Sequence, residues 1–458
     1  MTLYRYPNLV LEAVLKVPFA ARVTNWLGPR MLHGAIWSLV GTVFSRVFSL
    51  GSSVVVARWL GKESFGEYGM LQSTVGMFAV FASFGMGMTA TKHVAELRQS
   101  HPERAGRLIG LSNLVAWGAG GLLTLVLYLA SVPVANRTLA APHLAPYLRF
   151  CAPLLLLGSL NGAQIGALTG LEAFKRITQV NVISALICFP LVALGAWQFG
   201  LGGAAGGLVL GQAVTWAVSG MALRWECGKA NVAISYRGAW AEAGVLWSFS
   251  LPSVITSVLI MPMNWICAAI LVNRPGGYGE MGIFNVANQW RGFVMLVPNT
   301  LIGLSLPILS NMMGQDDEVG HRRVSAATTT INVGVTLLLA AGVGLVSPLI
   351  LSAYGTDYQG GAVCVWLLAI SAVPAAYCWA KYQVLASYDR MWISAGILAL
   401  WAASLVILTI TLVPIWRGEG LALANLLAQV LYAAILAIYL WYHRHSRKPR
   451  SRHTTLNG

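Results

Sequence analysis

Long apolar runs fill almost the whole chain, and short polar stretches separate them. A helix rises 1.5 Å per residue, so about 20 apolar residues cross the hydrocarbon of a bilayer. Runs of that order fall at 34–58, 68–91, 108–132, 145–169, 177–198, 201–223, 245–272, 282–313, 325–352, 362–387, 392–414 and 420–441. The pattern predicts an all-α polytopic membrane protein with about twelve transmembrane helices. A transmembrane barrel would instead alternate polar and apolar positions in segments of about ten residues. The eighth run exceeds one crossing, and Pro298 and Pro307 predict a kink or a break there.

The polar stretches set the organisation. Residues 1–31 form a cytoplasmic N-terminal segment, either a helix lying on the membrane surface or a short leader. Glu12 and Lys16 interrupt its apolar stretch and argue against a signal peptide. A first six-helix bundle covers 32–224, a cytoplasmic linker 225–244, a second six-helix bundle 245–442, and a basic cytoplasmic tail 443–458. No loop is long enough for a soluble domain.

Composition narrows the class. Apolar residues make up 57% of the 458, and only 10% are charged, against roughly 25% in soluble domains. So few charges cannot cover a soluble globule, which excludes a cytosolic enzyme, a disordered chain and a nucleic-acid binder. The net charge of +15 comes from 30 Lys and Arg against 15 Asp and Glu. Of those 30 cations, 22 lie in the termini and even-numbered loops, and six lie in or beside the odd-numbered loops. That bias predicts cytoplasmic N- and C-termini. Five of the six cysteines fall in apolar runs and none forms a C-x-x-C pair. They read as buried hydrophobes, with no metal site and no cofactor expected.

The halves repeat. Phe65-Gly66-Glu67-Tyr68-Gly69 matches Tyr278-Gly279-Glu280-Met281-Gly282, an offset of 213 (278 minus 65). Leu168-Thr169-Gly170-Leu171-Glu172 echoes Leu385-Ala386-Ser387-Tyr388-Asp389, an offset of 217 (385 minus 168). Six spans per half means that both halves enter the membrane the same way. The two bundles are then related by a pseudo-two-fold along the membrane normal, an arrangement that builds transport sites between bundles.

The stretch Val54–Glu96, with Leu60-Gly61, Phe65-Gly66 and Tyr68-Gly69, resembles the first helical hairpin of the polysaccharide (O-antigen) flippases. These belong to the multidrug/oligosaccharidyl-lipid/polysaccharide exporter superfamily. Gly166–Ile177 resembles the end of that family's fourth span. The resemblance implies a twelve-span, two-bundle transporter of the bacterial inner membrane. Its substrate would be a lipid-linked oligosaccharide for lipopolysaccharide, exopolysaccharide or capsule. A polysaccharide polymerase and chain-length proteins would be its partners, beside membrane lipids. The N-terminal extension is longer than the family's usual one.

Two cations stand inside spans. Arg46 lies roughly 18 Å from either end of the first span, near the midplane, and Arg291 roughly 13 Å into the eighth. An arginine at the centre of a span costs at least about 2.5–3.5 kcal/mol on insertion scales, and such a residue normally faces the bundle interior. All 15 acids map to loops or span ends. Either both guanidinia bond backbone carbonyls and amides, or both line a wet cavity and receive an anion. Thr42, Ser45, Arg46, Ser49, Ser52 and Ser53 form one stripe at helical spacing. Asn288, Arg291 and Asn299 share one face of the eighth span, with Asn285 a turn before. Ser49, Ser53, Asn285, Asn288 and Asn299 are therefore candidate lining residues. Close helix packing is the alternative, more so for the serines. Asn161, Gln164, Asn181, Gln212, Asn264, Asn425 and Gln429 each read first as helix–helix hydrogen bonds. Lys381, near the cytoplasmic end of the tenth span, reads first as a snorkelling residue and second as a gate contact for an anionic headgroup.

The functional expectation is a flippase that moves a polyprenyl-diphosphate-linked oligosaccharide from the cytoplasmic to the periplasmic leaflet by alternating access. A guanidinium fork matches phosphate oxygens. A drug or cation exporter is the alternative, although it would call for buried carboxylates. A glycan polymerase or ligase is the third reading; it would need an acid or base and usually a large periplasmic loop. The chain shows no phosphate loop, zinc-protease motif or catalytic triad, so no enzyme is expected.

Overall fold

The computed structural model describes residues 18–83, 85–244, 259–300, 318–388 and 391–446. These residues are helical almost throughout, with no strand among them. In chain order the helices are α1 (Pro18–Ser83), α2 (Met86–Leu97), α3 (Pro102–Pro133), α4 (Ala145–Cys151), α5 (Pro153–Gly170) and α6 (Phe174–Lys229). The second half holds α7 (Met261–Val272), α8 (Gly277–Val294), α9 (Glu318–Leu345), α10 (Ser347–Tyr354), α11 (Ala362–Ser387) and α12 (Met391–Ser446). Among the described residues, seven stretches are long and apolar enough to cross a membrane.

Three helices are too long for one crossing. α6 and α12 each hold 56 residues and α1 holds 66, against the ~20 a bilayer needs. Each contains one residue of left-handed φ: Gly61 (+74°), Gly200 (+57°) and Arg417 (+48°). α6 and α12 are two helices joined across those kinks. Gly61 divides α1 in the same way, and residues 45–56 and 68–72 on its two sides line one cavity. Each long helix thus carries two successive spans.

The internal repeat extends far beyond the two short motifs. α4 begins at 145 and α11 at 362; α5 ends at 170 and α11 at 387. α6 runs 174–229 and α12 runs 391–446, and their kinks fall at 200 and 417. Every one of these pairs differs by 217, as subtraction shows. Packing repeats as well. A Cβ on Gly203 would overlap the Gly195 carbonyl, and one on Gly420 would overlap the Leu412 carbonyl. Gly207 and Gly211, on the same glycine stripe as Gly203, press α6's second limb against Val192 and Cys188 of its first.

The halves meet where the repeated glycines face each other. A Cβ on Gly66 would overlap the Tyr278 carbonyl, one on Gly282 the Lys62 carbonyl, and one on Gly69 the Asn285 side chain. Only glycine permits this backbone approach between α1 and α8. Further bonds cross the same seam. Tyr278 Oη donates to the Leu139 carbonyl (2.8 Å), Asn273 Nδ2 to Thr138 (2.7 Å), and Trp265 Nε1 to Thr74 Oγ1 (3.0 Å). Arg58 Nε donates to the Ala353 carbonyl at 2.5 Å, at the last turn of α10, where a cation suits the helix dipole.

At the opposite ends of the helices, ion pairs hold elements within a half: Arg98–Glu172 (2.6 Å) and Arg176–Glu226 (3.1 Å). The connection after α6 is strapped to the first half. Ser235 N–H donates to the Gly106 carbonyl (3.2 Å), and Arg104 donates twice to Glu242 (3.0 and 2.8 Å). Those Arg104 bonds hold the Glu242 carboxyl below the usual carboxylate range.

Two sequence expectations meet the structure here. The eighth span does break: α8 ends at Val294, Met295 is a turn, and a helical turn resumes before Thr300. Pro298 has no N–H for the Val294 carbonyl, which explains the position of the break; Pro307 lies outside the described residues. The N-terminal surface helix lies outside them over residues 1–17, and from Pro18 the helix is continuous with the first span. The basic tail lies outside them from residue 447 onward.

Two predictions follow from the packing. Gly66→Ala and Gly282→Ala force the seam apart and should each cost about 1–3 kcal/mol, as overpacking does. Gly76→Ala, with nothing within 4 Å of the added carbon, should be neutral or slightly stabilising; thermal unfolding of the purified protein reads all three. Arg417 holds a backbone shape that its counterpart Gly200 adopts without strain, at about 1–2 kcal/mol for a non-glycine residue. Arg417→Gly should therefore raise the unfolding midpoint and Gly200→Ala lower it. A drop for Arg417→Gly would mean that the guanidinium's contacts outweigh the strain.

Candidate functional site

Two chambers flank α8. The first, of about 330 Å³, lies mainly in the first half. Its wall is the serine stripe of α1, with Ser45, Ser49, Ser52 and Ser53, faced by Gln72, Asn181 and Gln289. Ser45 Oγ donates to the Asn181 carbonyl at 3.3 Å. Ser53 Oγ, Ser184 Oγ and Gln289 Oε1 are buried without hydrogen-bond partners among the described residues. Such orphans are costly in an apolar setting, and a site that fills with water or polar ligand satisfies them.

The second chamber, of about 300 Å³, lies within the second half. Arg291 enters it from α8, Trp379 and Tyr382 from α11, and Trp401, Asn425 and Gln429 from α12. Arg291 Nε and Trp401 Nε1 are shielded from solvent and make no hydrogen bond among the described residues. Among the described residues, neither chamber has a carboxylate in its lining. A third cavity, of about 350 Å³, lies by the seam and mixes Lys62 and Arg417 with Glu280, Asp357 and Glu419.

The two intramembrane arginines come together at α8. Arg46 is exposed on α1, and its Nη2 lies 3.4 Å from where a Cβ on Gly292 would sit. Arg291 is the preceding residue and points into the second chamber. One cation from each half therefore meets the same turn of α8. Neither takes part in an ion pair among the described residues.

The other predicted residues divide. Ser49 and Ser53 line the first chamber. Asn285 instead packs on Gly69 in the seam, with its Nδ2 buried and unbonded. Asn288 and Asn299 are exposed and line neither chamber. Asn299 lies past the turn at Met295, where its N–H donates to the Met295 carbonyl at 3.0 Å. Lys381 does not snorkel. It is 9% exposed, its Nζ donates to Ser325 Oγ at 3.5 Å, and it sits 5.7 Å from the Tyr377 ring.

Of the amides read as helix–helix bonds, Asn161 and Gln164 do accept from Ser219 on α6. Asn264 and Asn425 instead donate to carbonyls of their own helices, Ile260 (2.8 Å) and Leu421 (3.1 Å), and line the second chamber. Trp379, Trp401, Gln72 and Gln289 carried no signal in the sequence. A lone aromatic or amide in an apolar run has the same pattern whether it faces lipid, a helix or a cavity.

Comparison with known proteins agrees with this geometry. The family described as polysaccharide biosynthesis protein matches residues 31–313. The EPS I polysaccharide export inner membrane protein EpsE of Ralstonia nicotianae is 23% identical over 393 residues, covering 81% of this chain and 87% of that protein. An inward-facing multidrug resistance MATE family transporter of the MOP superfamily superposes with a TM-score of 0.72 at 15% identity, over 90% of this chain and all of that one (100%). The lipid II flippase MurJ, in an inward closed conformation, superposes with a TM-score of 0.68 at 14% identity, over 89% of this chain and 87% of that one. At these identities the structural likeness establishes the fold alone, that of a two-bundle, all-helical multi-pass membrane protein. With more than half of its length matched, the chain belongs to the polysaccharide biosynthesis protein family.

Proposed function

We propose that this protein is a flippase of the bacterial inner membrane. It moves a polyprenyl-diphosphate-linked oligosaccharide repeat unit from the cytoplasmic to the periplasmic leaflet, and polysaccharide polymerase and chain-length proteins act after it. The observation that carries this reading is the pair of arginines, one from each half, set at one turn of α8 beside chambers without a carboxylate. A guanidinium is charged at any working pH and binds phosphate oxygens in a fork. Unpaired cations at this depth are expensive, and an anionic headgroup, diphosphate together with its glycan, offsets that cost. The membrane potential favours outward movement of that anion by about 2.3 kcal/mol per charge per 100 mV.

The two domains of the reading are the bundles on either side of the 225–244 linker, with both termini in the cytoplasm. The excess of Lys and Arg then makes the seam end periplasmic. The headgroup enters from the cytoplasm, between the halves, and leaves when the glycine seam parts. Ser49, Ser53 and Arg46 receive the headgroup, and Arg291 the part that reaches the second half. Asn285 closes the seam, Asn288 on α8 and Asn299 beyond its end contact the headgroup as it passes, and Lys381 serves as a gate on the cytoplasmic side. A cation exporter would need carboxylates where these chambers have amides and Arg291.

Three outcomes test this reading. A strain lacking the protein should accumulate complete lipid-linked repeat units on the cytoplasmic leaflet, read from inverted and right-side-out vesicles. Units already periplasmic, with no second flippase present, would sink it. Arg46→Ala and Arg291→Ala should abolish export at normal membrane levels, with Lys restoring each only partly because the fork is lost. Arg291→Met should abolish export yet stabilise the fold by about 1 kcal/mol or more, since apolar replacement of buried charge is often neutral or stabilising. A destabilised Arg291→Met would instead make Arg291 a structural residue.

A further inference from the structure

The second chamber has a chemistry of its own. Its unbonded buried donors are Arg291 Nε and Trp401 Nε1. Its amides supply acceptors: Asn264 and Asn425 spend their Nδ2 on Ile260 and Leu421, which leaves Oδ1 outside those bonds. Trp379 and Tyr382 add aromatic faces. Its volume, about 300 Å³, stands at the lower end of small-molecule sites, roughly 300–1,000 Å³.

Each simpler occupant leaves part of this lining unused. An inorganic anion would take the donors and leave the amide oxygens and aromatic walls idle. A cation would want carboxylates, and the lining has none. An apolar chain would leave a guanidinium nitrogen and an indole N–H unpaired, each at a cost of about 1–3 kcal/mol or more. A pyranose ring has C–H faces for the aromatic walls and hydroxyl groups that donate to amide oxygens. A carboxylate on that ring completes the match, because it accepts the Arg291 fork. We propose that the second chamber is a subsite for an acidic sugar, a hexuronate residue of the glycan. It is separate from the diphosphate contacts of Arg46. The delivery of that sugar rests on the flippase reading; its binding does not.

The test is calorimetric titration of the purified full-length protein with three probes: D-glucuronate, D-glucose and inorganic phosphate. One charge-assisted hydrogen-bonded pair is worth about tenfold to a hundredfold in affinity. Glucuronate should bind at least about tenfold more tightly than glucose, and phosphate should bind more weakly than glucuronate. Arg291→Ala should remove the preference for glucuronate over glucose. Trp401→Phe, which keeps the ring and removes the N–H, should weaken glucuronate while sparing Arg291, and it serves where Arg291→Ala does not elute as a single species. Equal binding of glucuronate and glucose, phosphate binding as tight as glucuronate, or an unchanged preference in Arg291→Ala would overturn the proposal. The leaflet assay is independent. Loss of the flippase reading with glucuronate binding intact leaves the subsite standing, and normal flipping without glucuronate binding removes the subsite alone.

Discussion

Backbone contact between α1 and α8 is the constraint on which the rest of this architecture depends. Gly66, Gly69 and Gly282 let two helices touch where any Cβ would hold them apart. With little hydrophobic drive between helices in lipid, such contacts rest on packing and hydrogen bonds. The glycines bring the helices close enough for the cross-seam bonds of Tyr278, Asn273, Trp265 and Arg58. The same approach makes α8 a wall common to both halves. One face meets α1 at Gly282, Asn285 and Gly292, and Arg291 leaves by another face into the second half. The approach of Arg46 and Arg291 to one turn of α8 is therefore a consequence of glycine packing.

The chambers show the opposite economy. The seam leaves one such atom, Asn285 Nδ2, while the chambers leave Ser53, Ser184, Gln289, Arg291 and Trp401 with unbonded buried atoms among the described residues. Packing alone would have removed these groups, since apolar side chains fit a bilayer protein at lower cost. They line two cavities inside an otherwise tightly packed fold. The fold invests its best packing at one end of the bundles and its unsatisfied polarity along the path between them.

The plan of the fold was legible because membrane constraints act on composition and length. Apolar runs gave the spans, and the Phe65–Gly69 and Tyr278–Gly282 motifs gave the two halves. The repeat proved deeper than the motifs, since α6 and α12 share length and kink position although Gly200 corresponds to an arginine. Helical spacing placed Ser49 and Ser53 on the first chamber correctly. Asn288 and Asn299 are exposed outside both chambers, which spacing along one helix could not indicate. The snorkelling read for Lys381 from its place near a span end does not take account of Ser325 on α9, remote in sequence, which offers a buried partner. Asn285 matched the stripe but serves Gly69, since one helical face can touch a backbone at one turn and a cavity at the next. The aromatic lining of the second chamber was invisible, because it assembles from α11 and α12 only after folding.

The central claim is that two repeat-related bundles rock against each other so that the glycine seam parts and the headgroup passes. Spin labels placed at exposed positions measure this most directly, one pair at Glu63 and Gln359 by the seam, the other at Gln99 and Arg323 at the far ends. Distances between labels would be recorded by double electron–electron resonance in reconstituted protein, with and without lipid-linked oligosaccharide extracted from the native membrane. The account predicts anticorrelated change: the seam pair lengthens while the far pair shortens. Two distances that stay fixed, or that move in the same direction, would contradict it.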